Sequence, residues 1–92
     1  MTGAARVHVH VKLFAQLRDT AGAGELTVDL TVDPTSHEAT VADVWRALVA
    51  AHAALAPFES SVSSAVNATY ARKHTRVHAG DEVAFLPPVS GG

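Results

Sequence analysis

The 92-residue sequence contains no cysteine, and only 5% of its residues are aromatic. Without cysteine the chain has no disulfide scaffold, thiolate zinc site, iron–sulfur cluster or cysteine nucleophile. The formal net charge of −2 is the wrong sign for a nucleic-acid binder. No apolar run reaches the roughly 20 residues of a membrane helix, and the N-terminal residues lack the apolar stretch of a signal peptide. These absences indicate one small, soluble, cytoplasmic domain over residues 1–92, with few catalytic side chains.

Two segments alternate apolar and polar residues in the pattern of half-buried strands, Arg6–Phe14 and Glu25–Val32. The first ends on Phe14, which interrupts an otherwise polar outer face. A short helical turn and a loop are predicted for Ala15–Gly24. Because this connection is too short for a crossover helix, the two strands are expected to pair antiparallel.

A helix is predicted from Val41 to about Ala54 after a loop at Asp33–Ala39. Thr40 is expected to be its N-cap, with Asp43 in the position of a capping-box partner. Pro57 is expected to end the helix.

The rest of the sequence predicts short elements separated by turns. In order these are a serine-rich connection at Phe58–Ser64, a short strand at Ala65–Tyr70 with a turn near Asn67, a basic stretch at Ala71–His78, a turn at Ala79–Asp81 and a last strand at Glu82–Leu86. This order predicts an α+β, ubiquitin-like β-grasp fold, a mixed sheet with one main helix packed across it. In that fold the first and last strands are parallel central neighbours.

The C-terminal segment, residues 87–92, is predicted to be a flexible tail that enters a site on another protein. Pro87 and Pro88 prevent further strand pairing, Val89 and Ser90 follow, and Gly91–Gly92 have no side chains to hinder threading. The reactive group would be the carboxylate of Gly92. Adenylation by ATP would supply a leaving group, so that a sulfur or nitrogen nucleophile yields a thiocarboxylate or an amide. The alternative is an inert, ragged end.

Three apolar residues are candidates for a contact surface on the outer face of the sheet: Phe14, Leu86 and Tyr70. Phe14 and Leu86 are expected to lie close together where the tail leaves. In the alternative interpretation, the turn at Ala15–Asp19 covers Phe14 and makes it ordinary core.

No metal site is predicted. His8 and His10 share a strand face, but no third ligand accompanies them nearby. Arg72, Lys73 and Arg76 form a small basic run, which is expected to be solvated or to guide an acidic partner.

Two motifs resemble the MoaD/ThiS sulfur-carrier family, which includes the small subunit of molybdopterin synthase. They are the ending GDEVAFLPPVSGG (Gly80–Gly92) and the opening VKLFAQLRD (Val11–Asp19). The resemblance implies that a MoeB-like adenylyltransferase uses ATP and magnesium to adenylate Gly92, which then becomes a thiocarboxylate. It also implies insertion of the tail into a MoaE-like large subunit within a heterotetramer, and sulfur donation to precursor Z, the cyclic pyranopterin monophosphate. No cofactor is implied to be bound by this chain.

The resemblance further implies that Phe14, Tyr70 and Leu86 face the partner, with Arg18 near that surface. On this interpretation the chain is a protein cosubstrate, and the catalytic groups belong to the large subunit. The alternatives are a ThiS-like carrier of another pathway, a ubiquitin-like protein modifier, and an interaction domain with an inert tail.

Overall fold

A computed structural model describes residues 5–32 and 39–88 of the chain. Its strands are β1 (Ala5–Leu13), β2 (Glu25–Val32), β3 (Ala39–Thr40), β4 (Ser63–Val66), β5 (Thr69–Ala71), β6 (Arg76–Val77) and β7 (Glu82–Leu86). Its helices are α1 (Ala15–Ala21), α2 (Val41–Ala51) and a 3-10 helix at Ala53–Phe58.

Five strands form the main sheet, in the order β2-β1-β7-β4-β5. β1 pairs antiparallel with β2, with Val9 opposite Val28. It pairs parallel with β7, with Val11 opposite Val83. The predicted β-grasp arrangement is therefore confirmed, including the parallel first and last strands at the centre of the sheet.

The alternation in the strands separates a buried face from an outer face. On β1 the buried set is Val7, Val9, Val11 and Leu13. The helices cover this face: α1 buries Leu17, and α2 buries Val41, Val44, Trp45 and Leu48. Trp45 meets Phe85 of β7 edge to face, with ring centroids 5.0 Å apart. The core thus lies on one side of the sheet, and the other side remains open for contacts.

The start of α2 is the predicted capping box. The Thr40 hydroxyl accepts a hydrogen bond from the Asp43 backbone N–H, and the Asp43 carboxylate accepts one from the Thr40 backbone N–H. The predicted end of the helix is wrong. α2 stops at Ala51, and Pro57 lies inside the following 3-10 helix. His52 leaves the helical conformation (φ −134°, ψ 77°), so the α-helix ends before the proline is reached.

Three other boundaries differ from the predictions. Phe14 caps α1 and does not belong to β1. The strand expected at Ala65–Tyr70 is a hairpin of β4 and β5, and β4 already begins at Ser63. Ala39, expected to be in a loop, and Thr40, the N-cap of α2, pair with Arg76–Val77 of the basic stretch as a small second sheet.

No helix in the described part of the chain combines the length and hydropathy needed to cross a membrane.

Candidate functional site

Phe14 and Leu86 lie side by side at one end of the two central strands. Leu13 is opposite Phe85 in the parallel register, and the Phe14 N–H donates to the Phe85 carbonyl at 3.3 Å. This bond extends the ladder by one residue and places Phe14 beside Leu86 on the outer face. The residues are 44% and 38% exposed. The prediction that Phe14 is exposed is therefore confirmed. The alternative, that α1 covers Phe14, is wrong: the side chain that α1 buries is Leu17.

Tyr70 lies on the same outer face, further across the sheet. Ala65 is opposite both Tyr70 and Ala84, so all three side chains point to one side. Tyr70 is 77% exposed. We call Phe14, Tyr70 and Leu86 the outer patch.

Ala65 and Ala84 separate Tyr70 from the pair formed by Phe14 and Leu86. Because alanine side chains are small, the surface between Tyr70 and this pair is a shallow depression. Sequence reasoning missed Ala65, because its place depends on the register of the β4–β5 hairpin.

Arg18 reaches the same end of the sheet along an unpredicted path. A Cβ atom on Gly24 would lie 3.0 Å from the Arg18 Cδ, so the arginine stem passes directly over this glycine. The Gly24 carbonyl in turn accepts a hydrogen bond from the Leu13 N–H at 2.9 Å. Arg18 is exposed, and its stem lies near the end of β1.

The chain leaves the sheet next to the outer patch. β7 ends at Leu86, and Pro87 and Pro88 follow without pairing to another strand. The remaining predicted tail residues, Val89 to Gly92, lie outside the described residues.

Ion pairs lie on the outer face, beside the patch and further along the sheet. The Lys12 ammonium lies 3.2 Å from the Glu82 carboxylate. The His8 imidazole pairs with Asp29 on β2. In residues 5–32 and 39–88 no three His, Asp or Glu side chains are grouped so that they could hold a metal ion. The apolar patch is therefore bordered by charges that already have partners.

At the other end of β7, the carboxylate of Asp81 joins a small hydrogen-bond network. A hydrogen bond from the Asn67 amide, at 3.1 Å, lowers the pKa of Asp81. The backbone N–H of His78 donates to the same carboxylate at 2.8 Å and lowers the pKa further. These bonds join two loops, and they lie at the start of β7, away from the outer patch. Asp81 therefore has a structural role.

Comparison with known proteins agrees with this geometry. The ThiS family model matches residues 11–92. The molybdopterin synthase sulfur carrier subunit of Chlamydomonas reinhardtii is 34% identical over 88 residues, covering 94% of this chain and 100% of that protein. The protein of the same name from Escherichia coli is 38% identical over 88 residues, covering 91% and 99%.

A relative with a different name is equally similar. Small archaeal modifier protein 1 of Haloferax volcanii is 38% identical over 89 residues, covering 88% of this chain and 97% of that protein. Its crystal structure superposes with a TM-score of 0.78 at 35% identity, covering 92% and 99% of the two chains. The chain therefore belongs to the ThiS family and has the ubiquitin-like β-grasp fold.

Proposed function

We propose that this chain is the sulfur-carrier small subunit of a molybdopterin synthase. The Gly92 carboxyl group carries the sulfur as a thiocarboxylate and donates it to precursor Z. The observation that carries this proposal is the outer patch, an exposed apolar surface beside the point where the chain leaves the sheet toward Gly92. The names of the relatives in Chlamydomonas and Escherichia coli support it.

The chemistry needs no catalytic side chain from this protein. A Gly92 carboxylate oxygen attacks the α-phosphorus of ATP, and pyrophosphate leaves with the help of magnesium on a MoeB-like adenylyltransferase. Hydrosulfide then attacks the acyl carbon and AMP leaves, which gives the thiocarboxylate. The absence of cysteine from the sequence fits this route, because the sulfur is held on the backbone.

The outer patch is suited to a MoaE-like large subunit. A few side chains, chiefly aromatic residues and arginine, supply most of the binding energy of an interface when they fill pockets on the partner. The six residues from Pro87 to Gly92 span at most about 20 Å when extended. An active site within that distance of the patch would receive Gly92 while Phe14 and Leu86 hold the carrier in place. Arg18, which lies near the same end, would contact the partner at the rim.

The likeness to the archaeal modifier favours a second candidate, a ubiquitin-like modifier that joins Gly92 to lysine side chains. Both candidates begin with adenylation of the same carboxylate, and they differ in whether sulfur or a lysine amine attacks it. A ThiS-like carrier for another sulfur pathway would differ only in the acceptor.

Intact-mass spectrometry distinguishes these functions. The chain is incubated with a MoeB-like enzyme, Mg-ATP and a sulfur donor, then with a MoaE-like subunit and precursor Z. We expect a mass gain equal to the exchange of one oxygen for one sulfur, followed by its loss as molybdopterin forms. A chain lacking Gly92 should fold and bind the large subunit but gain no sulfur. Lysine-linked adducts without molybdopterin formation would favour the modifier and contradict the carrier.

A charge placed in the outer patch tests the partner surface. Phe14→Arg should weaken binding to the large subunit by about 2 kcal/mol or more, roughly 30-fold in Kd, because the complex would bury an unpaired charge. Ala50→Arg, on the exposed side of α2, is the matched control and should bind normally. Calorimetry showing equal affinity for both variants would remove Phe14 from the interface.

A further inference from the structure

β2 forms one edge of the main sheet, and within the described residues it pairs only with β1. The strand runs from Glu25 to Val32, and its register with β1 is continuous over eight residue pairs, so no bulge interrupts it. It contains neither proline nor lysine, two residues that commonly protect sheet edges from pairing with other chains. The backbone of this edge is therefore suited to accept a further strand.

The register shows which backbone groups of β2 face the open edge. The Leu13 N–H donates to the Gly24 carbonyl at 2.9 Å, so these two residues form a hydrogen-bonded pair. Such pairs alternate in an antiparallel ladder, so Leu26, Val28 and Leu30 also direct their N–H and C=O groups toward β1. Within the described chain, the outward-facing backbone groups have no hydrogen-bond partner. They belong to Glu25, Thr27, Asp29 and Thr31.

The side chains along this edge carry negative charge. Glu25 and Asp29 are exposed on the outer face, and β2 contains no basic residue. His8 of β1 pairs with Asp29. Glu25 has no ion pair in the described part of the chain, because the Lys12 ammonium opposite it lies 3.2 Å from the Glu82 carboxylate. An incoming strand therefore meets an acidic edge.

These carboxylates disfavour a second copy of the chain as the added strand. Two antiparallel β2 strands with their outer faces on the same side would place acidic side chains of both copies opposite or diagonal to each other. Like charges at such positions destabilise a strand pair, whereas opposite charges stabilise it. The edge therefore favours a strand of another protein that has lysine or arginine on its outer face.

On the core side, a groove beside β2 has space for the other side chains of an added strand. It lies between residues 26–29 of β2 and the end of α2, where Ala47, Ala51 and His52 line it. Ala47 and Ala51 are four residues apart on one face of α2, and their small side chains leave room between the helix and the strand. Because side chains alternate along a strand, small apolar residues at every second position would enter this groove.

We propose that the free edge of β2 binds an extended segment of a partner protein in which basic and small apolar residues alternate. The segment pairs antiparallel with β2, the more stable arrangement per residue. Its basic residues lie opposite Glu25 and Asp29, and its apolar residues enter the groove beside Ala47 and Ala51. β1 separates this edge from β7, from which the chain leaves toward Gly92. The site is therefore distinct from the outer patch, and its test does not depend on the carrier function.

A peptide with blocked ends and the sequence Val-Lys-Val-Lys-Val-Lys-Val is the probe. It is added to the full chain, labelled with ¹⁵N, and amide hydrogen exchange is followed by NMR. The edge-facing amides of Thr27, Asp29 and Thr31 should exchange at least about ten-fold more slowly with saturating peptide, while those of β5 should not change. The same peptide with glutamate in place of lysine should bind about ten-fold more weakly. Unchanged exchange in β2, or equal affinity for the two peptides, would overturn the proposal.

N-methylation of the peptide distinguishes strand pairing from charge attraction. In the antiparallel arrangement the lysine N–H groups of the peptide face β2, and the valine N–H groups face away from it. Methylating the lysine N–H groups should therefore abolish binding. Methylating the valine N–H groups, the matched control, should leave the affinity within about two-fold of the parent. Equal binding of both methylated peptides would mean that charge alone holds the peptide, and would overturn the pairing.

Variants of the chain test where the peptide binds. Thr27→Pro removes an edge-facing N–H without removing a bond to β1, and should weaken binding about ten-fold. Glu25→Gln and Asp29→Asn should each weaken it about two- to five-fold. Ala51→Phe fills the groove and should weaken binding, whereas Ala50→Phe, on the exposed side of α2, should leave it unchanged.

Circular dichroism confirms that each variant is folded, and the charge variants test the site even if Thr27→Pro fails to fold. Parent affinity in both charge variants and in folded Ala51→Phe would place the peptide elsewhere and overturn the proposal.

Discussion

Asp81 connects two loops that are distant in the sequence. Its carboxylate accepts hydrogen bonds from the Asn67 amide and from the His78 backbone N–H. Asn67 also accepts a bond from the Glu82 N–H at 3.0 Å. The sequence predicts a turn at Ala79–Asp81, and Gly80 indeed has a positive φ of 85°. It does not predict the bond to Asn67, because that contact forms only once the β4–β5 hairpin lies beside β7.

Replacing Asp81 tests this network through its pH dependence. The pKa of Asp81 is lowered from its ordinary value of 3.8. A lowered pKa means that the carboxylate stabilises the fold in full above the ordinary value, and that the contribution is lost as the pH falls through the lowered value. Asp81→Ala should therefore lower the free energy of unfolding by about 1–2 kcal/mol at pH 5, and the difference from the parent should shrink below about pH 4.

Urea denaturation of both proteins between pH 5 and pH 2 measures that difference. A difference that stayed constant down to pH 2 would show that the charge of Asp81 contributes nothing to its role.

For single residues, the sequence predicts exposure where a residue breaks a regular pattern, as Phe14 does. Its break in the alternation of β1 predicts an exposed apolar residue, and 44% of it is exposed. Only the family resemblance predicts Arg18 near this surface, because the path of its side chain depends on the missing side chain of Gly24. Such a contact between a helix and a loop leaves no periodic signal.

At the level of elements, the long periodic segments were predictable and the short ones were not. β1, β2 and β7 alternate over five to nine residues, and Thr40 with Asp43 marks the start of α2. β3 and β6 have two residues each, too few to show a period. The predicted end of α2 is wrong because alanines on both sides of His52 favour helix. Packing, and not the local sequence, decides where the α-helix changes to a 3-10 helix.

The β4–β5 hairpin contains a local strain that can be removed. Asn67 and Ala68 form its two-residue turn, and both have positive φ, 50° and 69°. Such type I′ turns favour Asn-Gly, since a Cβ at the second position is unfavourable. Ala68 is exposed, so Ala68→Gly loses no packing and should raise the free energy of unfolding by about 0.5–1 kcal/mol after the entropic cost of glycine.

Chemical denaturation with the matched variant Ala50→Gly checks this prediction. Ala50 is exposed within α2, where glycine should destabilise by about 1 kcal/mol. If both substitutions lowered stability equally, the turn would hold no strain that glycine relieves.

In the whole molecule, the two faces of the sheet have different roles: one face forms the core, and the other is available for contacts. One face packs against α1 and α2, while the other carries the outer patch and exposed polar residues. The chain order and the alternation predict this division, and with it the patch beside the tail. They do not predict the small depression beside α2, because it arises from the way α2 packs over β4 and β7. Sheet topology is therefore encoded locally, but cavities are set by packing between distant segments.

The topology also predicts where the molecule resists opening. β1 and β7 each pair with strands on both sides, whereas β5 pairs only with β4 in the described sheet. Freeing β1 or β7 breaks two ladders and exposes Val9, Val11 and Val83, which are fully buried. Freeing β5 breaks one short ladder and exposes little apolar surface.

Native-state hydrogen exchange measures this difference strand by strand. Hydrogen-bonded amides of β1 and β7 should exchange only through global unfolding, with protection equal to the full free energy of unfolding. Those of β5 should exchange through local opening, at least about ten-fold faster, and should respond little to low urea. Equal protection in β5 and β7 would contradict this prediction, because it would mean that the edge strand β5 opens only when the central strands unfold. The predicted gradient instead lets the strand that carries Tyr70 open locally while the central strands keep Phe14 and Leu86 in place.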